Sequence, residues 1–253
     1  MIIILKSTLL IKGLIQNHFD IMLFTEELVH DVILQTTNKN YKPNVAFIPS
    51  HHGGEIGGSL EKKVISILAL SHADTFGEVG CGRGKFILHM KLLHQHNTCF
   101  GVECVTSRLT EGHYWWSKIY ATLLSDVPCT SHHVNSRRNP QAPIFINGNF
   151  TEESFWSTHG ETYFSRRNLK LFINNYGEHM LHDGTQTKLE MKLDQYCASG
   201  TFVVALSKMF MDREAWDIWV QKQLITHKIK AEDVSWTRGR AGGIIKLYVY
   251  VKY

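Results

Sequence analysis

The segment FGEVGCGRGKF, residues 76–86, sets Gly80, Gly82 and Gly84 at alternate positions, with Glu78 two residues ahead of them and Lys85 directly behind. Glycines so placed permit a tight turn and let a ligand approach the main chain closely. If a helix begins after them, its exposed N–H groups can hold a carboxylate. A second acid, Glu103, closes the stretch FGVE about twenty residues further on, where the logic of dinucleotide folds places a ribose-binding acid. A carboxylate there can accept from both ribose hydroxyls at once. The chemistry indicated is capture of a nucleoside-bearing cofactor. Two plainer readings stand beside it: a structural glycine turn, and a surface acid at a strand end.

The kind of cofactor follows from what the motif lacks. A dinucleotide fingerprint needs G-x-G-x-x-G, and nothing in the chain matches the phosphate-binding loop GxxxxGK[ST]. The G-x-G-x-G spacing with a preceding acid instead resembles motif I of class I methyltransferases. This favours methyl transfer over hydride transfer.

Positioning these residues requires alternating strands and helices. From Ser59, read as a helix cap, Leu60, Val64, Ile67 and Leu68 recur with helical spacing. A strand through Phe76 and Val79 leads into the glycines, and a helix follows from Lys85 to about Gln95. Thr98–Glu103 is the next strand, followed by a long helix in which Trp115 and Trp116 are core candidates. Pro143–Ile146, Leu169–Ile173 and Thr201–Leu206 read as buried strands, and Thr187–Tyr196 and Arg213–Leu224 as helices. In Ile245–Val251, Leu247, Val249 and Val251 alternate with Lys246, Tyr248 and Tyr250 after a glycine-rich turn, which predicts a strand. The whole predicts an α/β fold with a doubly wound, mostly parallel sheet and an antiparallel C-terminal hairpin. Residues 1–50 are expected to form a small N-terminal lobe, and 51–253 the catalytic domain.

Composition narrows the classes. With 253 residues, 43% hydrophobic and 20% charged, the chain can bury one full core and shows no sign of extended disorder. Five scattered cysteines without a CxxC pair argue against a disulfide framework or zinc ribbon and suit a reducing compartment. Histidine pairs at 51–52, 94/96 and 132–133 have no acidic or cysteine partners at ligand spacing, so no metal site is expected. Lys6 and Lys12 interrupt the apolar start, which reads as a buried element rather than a signal or anchor, and no membrane partner is expected.

From about Gly54 to Phe210 the order of motifs resembles the Dot (disruptor of telomeric silencing) family of histone-lysine methyltransferases. The matching pieces are GGEI at 53–56, EVGCGRGK at 78–85, GVE at 101–103, GNF at 148–150, LKLFINNY at 169–176 and ALSKMF at 205–210, with a weaker match in VSWT at 234–237. The resemblance implies a Rossmann-like class I fold, S-adenosylmethionine as cofactor, a nuclear location and a nucleosomal lysine, on the folded surface of histone H-three, as substrate. It places Glu55, Ile56, Glu78, Gly80, Cys81, Gly82, Gly84 and Lys85 at the cofactor, Glu103 on the ribose, Asn149 on the adenine amine and Phe150 against the adenine ring. Asn174 would stand where the lysine meets the methyl group, and Tyr176, Trp236 and Tyr248 are candidates for channel walls. An aromatic face suits adenine, and an Asn oxygen can accept from its amine. The chain has Glu78 and Asn149 where the family has Asp, Lys85 where it has Gln, and Gly53 and Ile56 in place of an aromatic and a hydroxyl residue. The 253 residues show no long basic extension of the kind with which some members hold DNA, so a compact stand-alone member of the family is expected.

Methyl transfer to an amine is an in-line displacement in which alignment supplies much of the barrier reduction. An apolar channel would lower the lysine pKa by desolvation. Arg137–Arg138, Arg166–Arg167, Arg238 and Arg240 fall in expected loops and could meet DNA phosphates, or be ordinary solvated surface. Asn174 also fits a cap of the strand-to-loop turn, and Trp236 and Tyr248 fit plain sheet or core positions. Two other functions stay open: a methyltransferase acting on RNA or a non-histone protein, and a non-catalytic cofactor-binding scaffold. Adenine-N6 enzymes carry an Asn/Asp-Pro-Pro-aromatic sequence after the fourth strand, whereas Asn174–Asn175–Tyr176–Gly177 has no proline.

Overall fold

The computed structural model describes residues 56–95, 97–125, 141–175, 184–211, 217–229 and 243–253. The expected N-terminal lobe, together with Glu55, Tyr176, Trp236 and the arginines at 137, 138, 238 and 240, lies outside the described residues. In chain order the elements are α1 (Gly58–Leu68), β1 (Thr75–Val79), α2 (Lys85–Leu93), β2 (Thr98–Glu103), α3 (Thr106–Ser125), β3 (Ile144–Asn147), α4 (Glu153–His159, running on into a π-helical turn, Gly160–Phe164), β4 (Leu169–Ile173), α5 (Thr185–Tyr196), β5 (Phe202–Ala205), β6 (Trp219–Lys228) and β7 (Ile244–Lys252).

The strands form one seven-stranded sheet in the order β3-β2-β1-β4-β5-β7-β6. β1 to β5 are parallel, and β7 runs antiparallel between β5 and β6. β1 is buried at every position, as expected of a central parallel strand covered on both faces. On one face Phe76, Phe172, Val204 and Val249 meet Leu60, Val64 and Leu68 of α1 and Phe86, Ile87 and Met90 of α2. Phe86 lies edge-on to both Phe76 and Phe172, with ring centroids 5.4 Å apart in each pair. On the other face Phe100, Val102, Leu171, Ile173 and Val203 pack against Phe155, Trp156, Phe164, Leu189 and Leu193.

The doubly wound sheet, its antiparallel hairpin and the strand–helix alternation agree with the sequence expectation. Arg213–Leu224 is a correction: Trp219–Lys228 is the outermost strand, not part of a helix. Val220 and Leu224 are spaced like helix neighbours, and an edge strand exposed along most of its length lacks the alternation that marks a half-buried one. Ser59 is not the cap of α1. Gly57 occupies that position, and the Ser59 hydroxyl lies 3.3 Å from Nε2 of His227 on β6.

Candidate cofactor site

The parallel strands all deliver their carboxyl ends to one edge of the sheet. β1 has β2 on one side and β4 on the other, so chain direction across the sheet reverses at its end. Open α/β sheets bind ligands at such a switch point. Register fixes what meets there: Val79 is level with Val102 and Ile173, Val102 with Ile146, and Ile173 with Ala205. The next residues on these strands or just beyond them are Gly80, Glu103, Asn174, Asn147 and Leu206.

The glycine turn folds back over β2. The N–H groups of Gly80 and Cys81 both donate to the Val102 carbonyl, at 2.9 and 3.0 Å, and Gly84 N–H donates to Cys81 O at 2.8 Å. Gly80, Gly82 and Gly84 have φ of 78°, 56° and 76°, a left-handed conformation that is costly for any residue with a Cβ. Gly84 has a packing reason as well: a Cβ there would come within 2.2 Å of the Phe145 ring. Cys81 turns its sulfur inward against Gly101, so only its main chain faces the turn's outer side. Lys85 opens α2, whose first N–H groups have no partner within the helix.

Glu103 ties this turn to the next loop. Its Oε2 accepts from Gly82 N–H at 3.0 Å, and Oε1 accepts from Val105 N–H at 3.0 Å and from Arg108 at 3.4 Å. The carboxylate is 5% exposed, so it is held in one orientation, yet Oε2 carries a single bond and keeps a lone pair for a ligand. Glu78 is buried at the end of β1. Gly148 N–H donates to Glu103 O at 3.1 Å, which brings Asn149 and Phe150 to the same edge. Asn149 turns its amide oxygen onto its own turn, accepting from the Thr151 N–H at 3.0 Å and hydroxyl at 2.8 Å. Phe150 is half-buried, and its carbonyl accepts from the Trp156 indole at 2.7 Å.

Asn174 is half-buried and sits over Gly80; its N–H donates to Val79 O at 3.1 Å. Asn175 beside it is fully buried and has a different task. Its side-chain oxygen accepts from Ser207 N–H at 2.8 Å, and its carbonyl from the Ser207 hydroxyl at 2.9 Å. Gln186 donates to Lys208 O at 2.7 Å, Glu190 accepts from Phe210 N–H at 2.9 Å, and the Tyr250 hydroxyl accepts from Met209 N–H at 2.9 Å. The loop after β5 is thus braced from three elements. Sequence reasoning missed this brace, whose partners are spread from residue 175 to 250, and it missed Arg108, five residues beyond Glu103. Ile56, placed by resemblance at the cofactor, is 2% exposed within the α1 cluster. Tyr248 is half-buried on β7, level with Ala205 and two strands from β4.

No protein-family model matches the chain, and no curated protein matches it in sequence. Among solved structures, a Pyrococcus horikoshii protein assigned as an RNA methyltransferase superposes with a TM-score of 0.54 at 11% identity, covering 91% of this chain and 99% of that one. The chain has the class I methyltransferase fold. TrmN from Thermus thermophilus shares this methyltransferase fold with a TM-score of 0.51 at 10% identity, over 76% of this chain. The chain spans about half of TrmN, 48% of its length.

Proposed function

We propose that the chain is a methyltransferase that takes its methyl group from S-adenosylmethionine. The observation that carries this reading is Glu103, a buried carboxylate locked to the glycine turn at the switch point of a methyltransferase fold. The residues present fit the cofactor. Glu103 would accept from the ribose, the Gly80–Lys85 turn and the start of α2 would take the methionine carboxylate, and Phe150 offers an aromatic face to adenine. Asn149 would exchange its bonds to Thr151 for the adenine amine. When bound, the cofactor supplies an electrophilic methyl group on a sulfonium sulfur. Asn174, at the carboxyl end of β4, would orient the acceptor group, with alignment rather than a dedicated base carrying the catalysis.

For the acceptor we infer RNA, in keeping with the nearly end-to-end fold likeness to the Pyrococcus protein. The absence of prolines after Asn174–Asn175 argues for a target other than adenine N6. A second reading, a nucleosomal lysine, is supported by the motif order from Gly54 to Phe210, and it would bring the nucleosome as partner and the nucleus as location. Tyr176, Trp236 and Tyr248 would then wall the lysine channel. Incubation with labelled S-adenosylmethionine and total RNA, nucleosomes or free histones tests both. Label in RNA is expected, label in nucleosomal histone would move the acceptor to lysine, and cofactor binding without transfer would leave a scaffold.

A further inference from the structure

The β6–β7 hairpin outgrows the sheet. β5 pairs with β7 only from Tyr248 to Val251, whereas Ile244–Leu247 pair only with β6, through Ile225–Lys228. Because β7 is antiparallel, this extension rises past the carboxyl edge, by about 14 Å for four residues at about 3.4 Å each. It stands two strands from Asn174, about 10 Å away at ordinary strand spacing.

Its two faces differ. Ile225, Ile245 and Leu247 turn into the α1 cluster. The pairs Leu224–Tyr248, Thr226–Lys246 and Lys228–Ile244 lie on the opposite face, since directly paired residues share a side. Leu224 is 48% and Ile244 65% exposed, both lysines are exposed, and neither lysine pairs with a carboxylate among the described residues. The two strands, WVQKQLITHK and IIKLYVYVK, hold four lysines and no acid.

We propose that this face binds single-stranded RNA flanking the nucleotide to be modified, a proposal that rests on the RNA reading of the acceptor. Lysines between exposed apolar side chains suit a strand whose phosphates pair with cations while its unstacked bases lie against Leu224, Ile244 and the Tyr248 ring. A duplex would keep its bases stacked inside and leave the apolar positions unused. The two strands, free of acids along their length, complement a polyanion, and their distance from Asn174 lets an RNA strand lie across them and enter the site.

The test measures binding of a labelled single-stranded RNA about 16 nucleotides long to the full chain by fluorescence anisotropy. The double variant K228E/K246E is expected to bind roughly tenfold or more weakly near 50 mM salt, and its salt slope to be shallower by about 1.4, or 0.7 per lost phosphate contact. K228Q/K246Q should show a smaller loss. K62E/K63E, the same charge change on the exposed side of α1, should bind like the parent. Titration with S-adenosylmethionine should give unchanged affinity in all three variants. Equal RNA binding by K228E/K246E and K62E/K63E overturns the proposal, as does preference for duplex DNA through the same lysines, which would make the surface a nucleosome contact. A chain that binds S-adenosylmethionine but no RNA overturns this surface and leaves the methyltransferase reading standing. RNA binding through these lysines without cofactor affinity does the reverse.

Discussion

The two edges of the sheet are closed by opposite chemistry. At the amino edge, cationic side chains collect main-chain carbonyls. Lys170 donates to Leu68 O and Ala69 O at 2.7 and 2.9 Å, where α1 ends. Lys91 donates to Gln95 O and Asn97 O at 2.8 and 2.6 Å, after α2. Lys252 donates to Cys197 O at 2.9 Å and to Asp194 O, at the end of α5. At the carboxyl edge, side-chain oxygens of Glu103, Asn149, Asn175, Glu190 and Tyr250 collect main-chain N–H groups. Helices that return antiparallel to the strands bring their unpaired carbonyls to one edge and their unpaired N–H groups to the other. The field of the helices follows the same division, positive at the carboxyl edge. Helix N-termini that can receive a ligand carboxylate therefore stand at the carboxyl edge, and there the glycine turn opens.

The sharpest break of this contrast is Glu103→Ala. Removing a buried, charge-assisted acceptor costs about 1.5–3 kcal/mol, so S-adenosylmethionine should bind roughly ten- to a hundredfold more weakly by calorimetry. Affinity equal to the parent would assign Glu103 to the turn alone. At the opposite edge, Lys252→Met should leave cofactor affinity unchanged and lower unfolding free energy by about 1–3 kcal/mol in urea melts, because the Cys197 and Asp194 carbonyls lose their donor. A loss of cofactor binding in folded Lys252→Met would show that the edges are coupled.

Asn174→Ala should reduce turnover by roughly tenfold with cofactor affinity within about twofold, as for an interaction made mainly in the transition state. Parallel changes in both constants would return Asn174 to a cap of the turn. Its neighbour is expected to behave differently: Asn175→Ala should show in thermal stability, because it releases Ser207.

The smallest effect is expected at Glu190. Burial pushes its carboxyl above the ordinary 4.5, against the bonds from Phe210 N–H and Gln186 that lower it. A raised pKa means its stabilising contribution is complete below 4.5 and is lost as pH rises through the shifted value. Glu190→Gln keeps an acceptor oxygen and has no charge to bury. It should change stability by less than about 1 kcal/mol and flatten the decline above pH 4.5 in chemical melts recorded across pH. A steeper decline in the variant would contradict the buried-charge account.

Much of the carboxyl edge was legible in the chain. Glu78, the three glycines and Glu103 lie within a single strand–turn–helix–strand unit, so local spacing alone puts them together. Asn149, Phe150 and Asn174 lie further along, and family resemblance rather than spacing brought them in. The outer strand β6 was misread because an exposed edge strand has no apolar alternation to betray it. Ser59 was misread as a cap because a serine before an apolar period usually is one; here Gly57 takes that place.

By itself the sequence determined the strand–helix order, the glycine turn and the acid that answers it, since each depends on neighbours no more than about one supersecondary unit apart. The tertiary structure decided the rest. It set the Glu103 carboxylate against Gly82 N–H and sent Asn175 rather than Asn174 into the brace around Ser207. It also carried the β6–β7 hairpin past the edge of β5. The brace and the hairpin extension depend on register between strands far apart in the chain, where a one-residue slip turns every side chain to the other face.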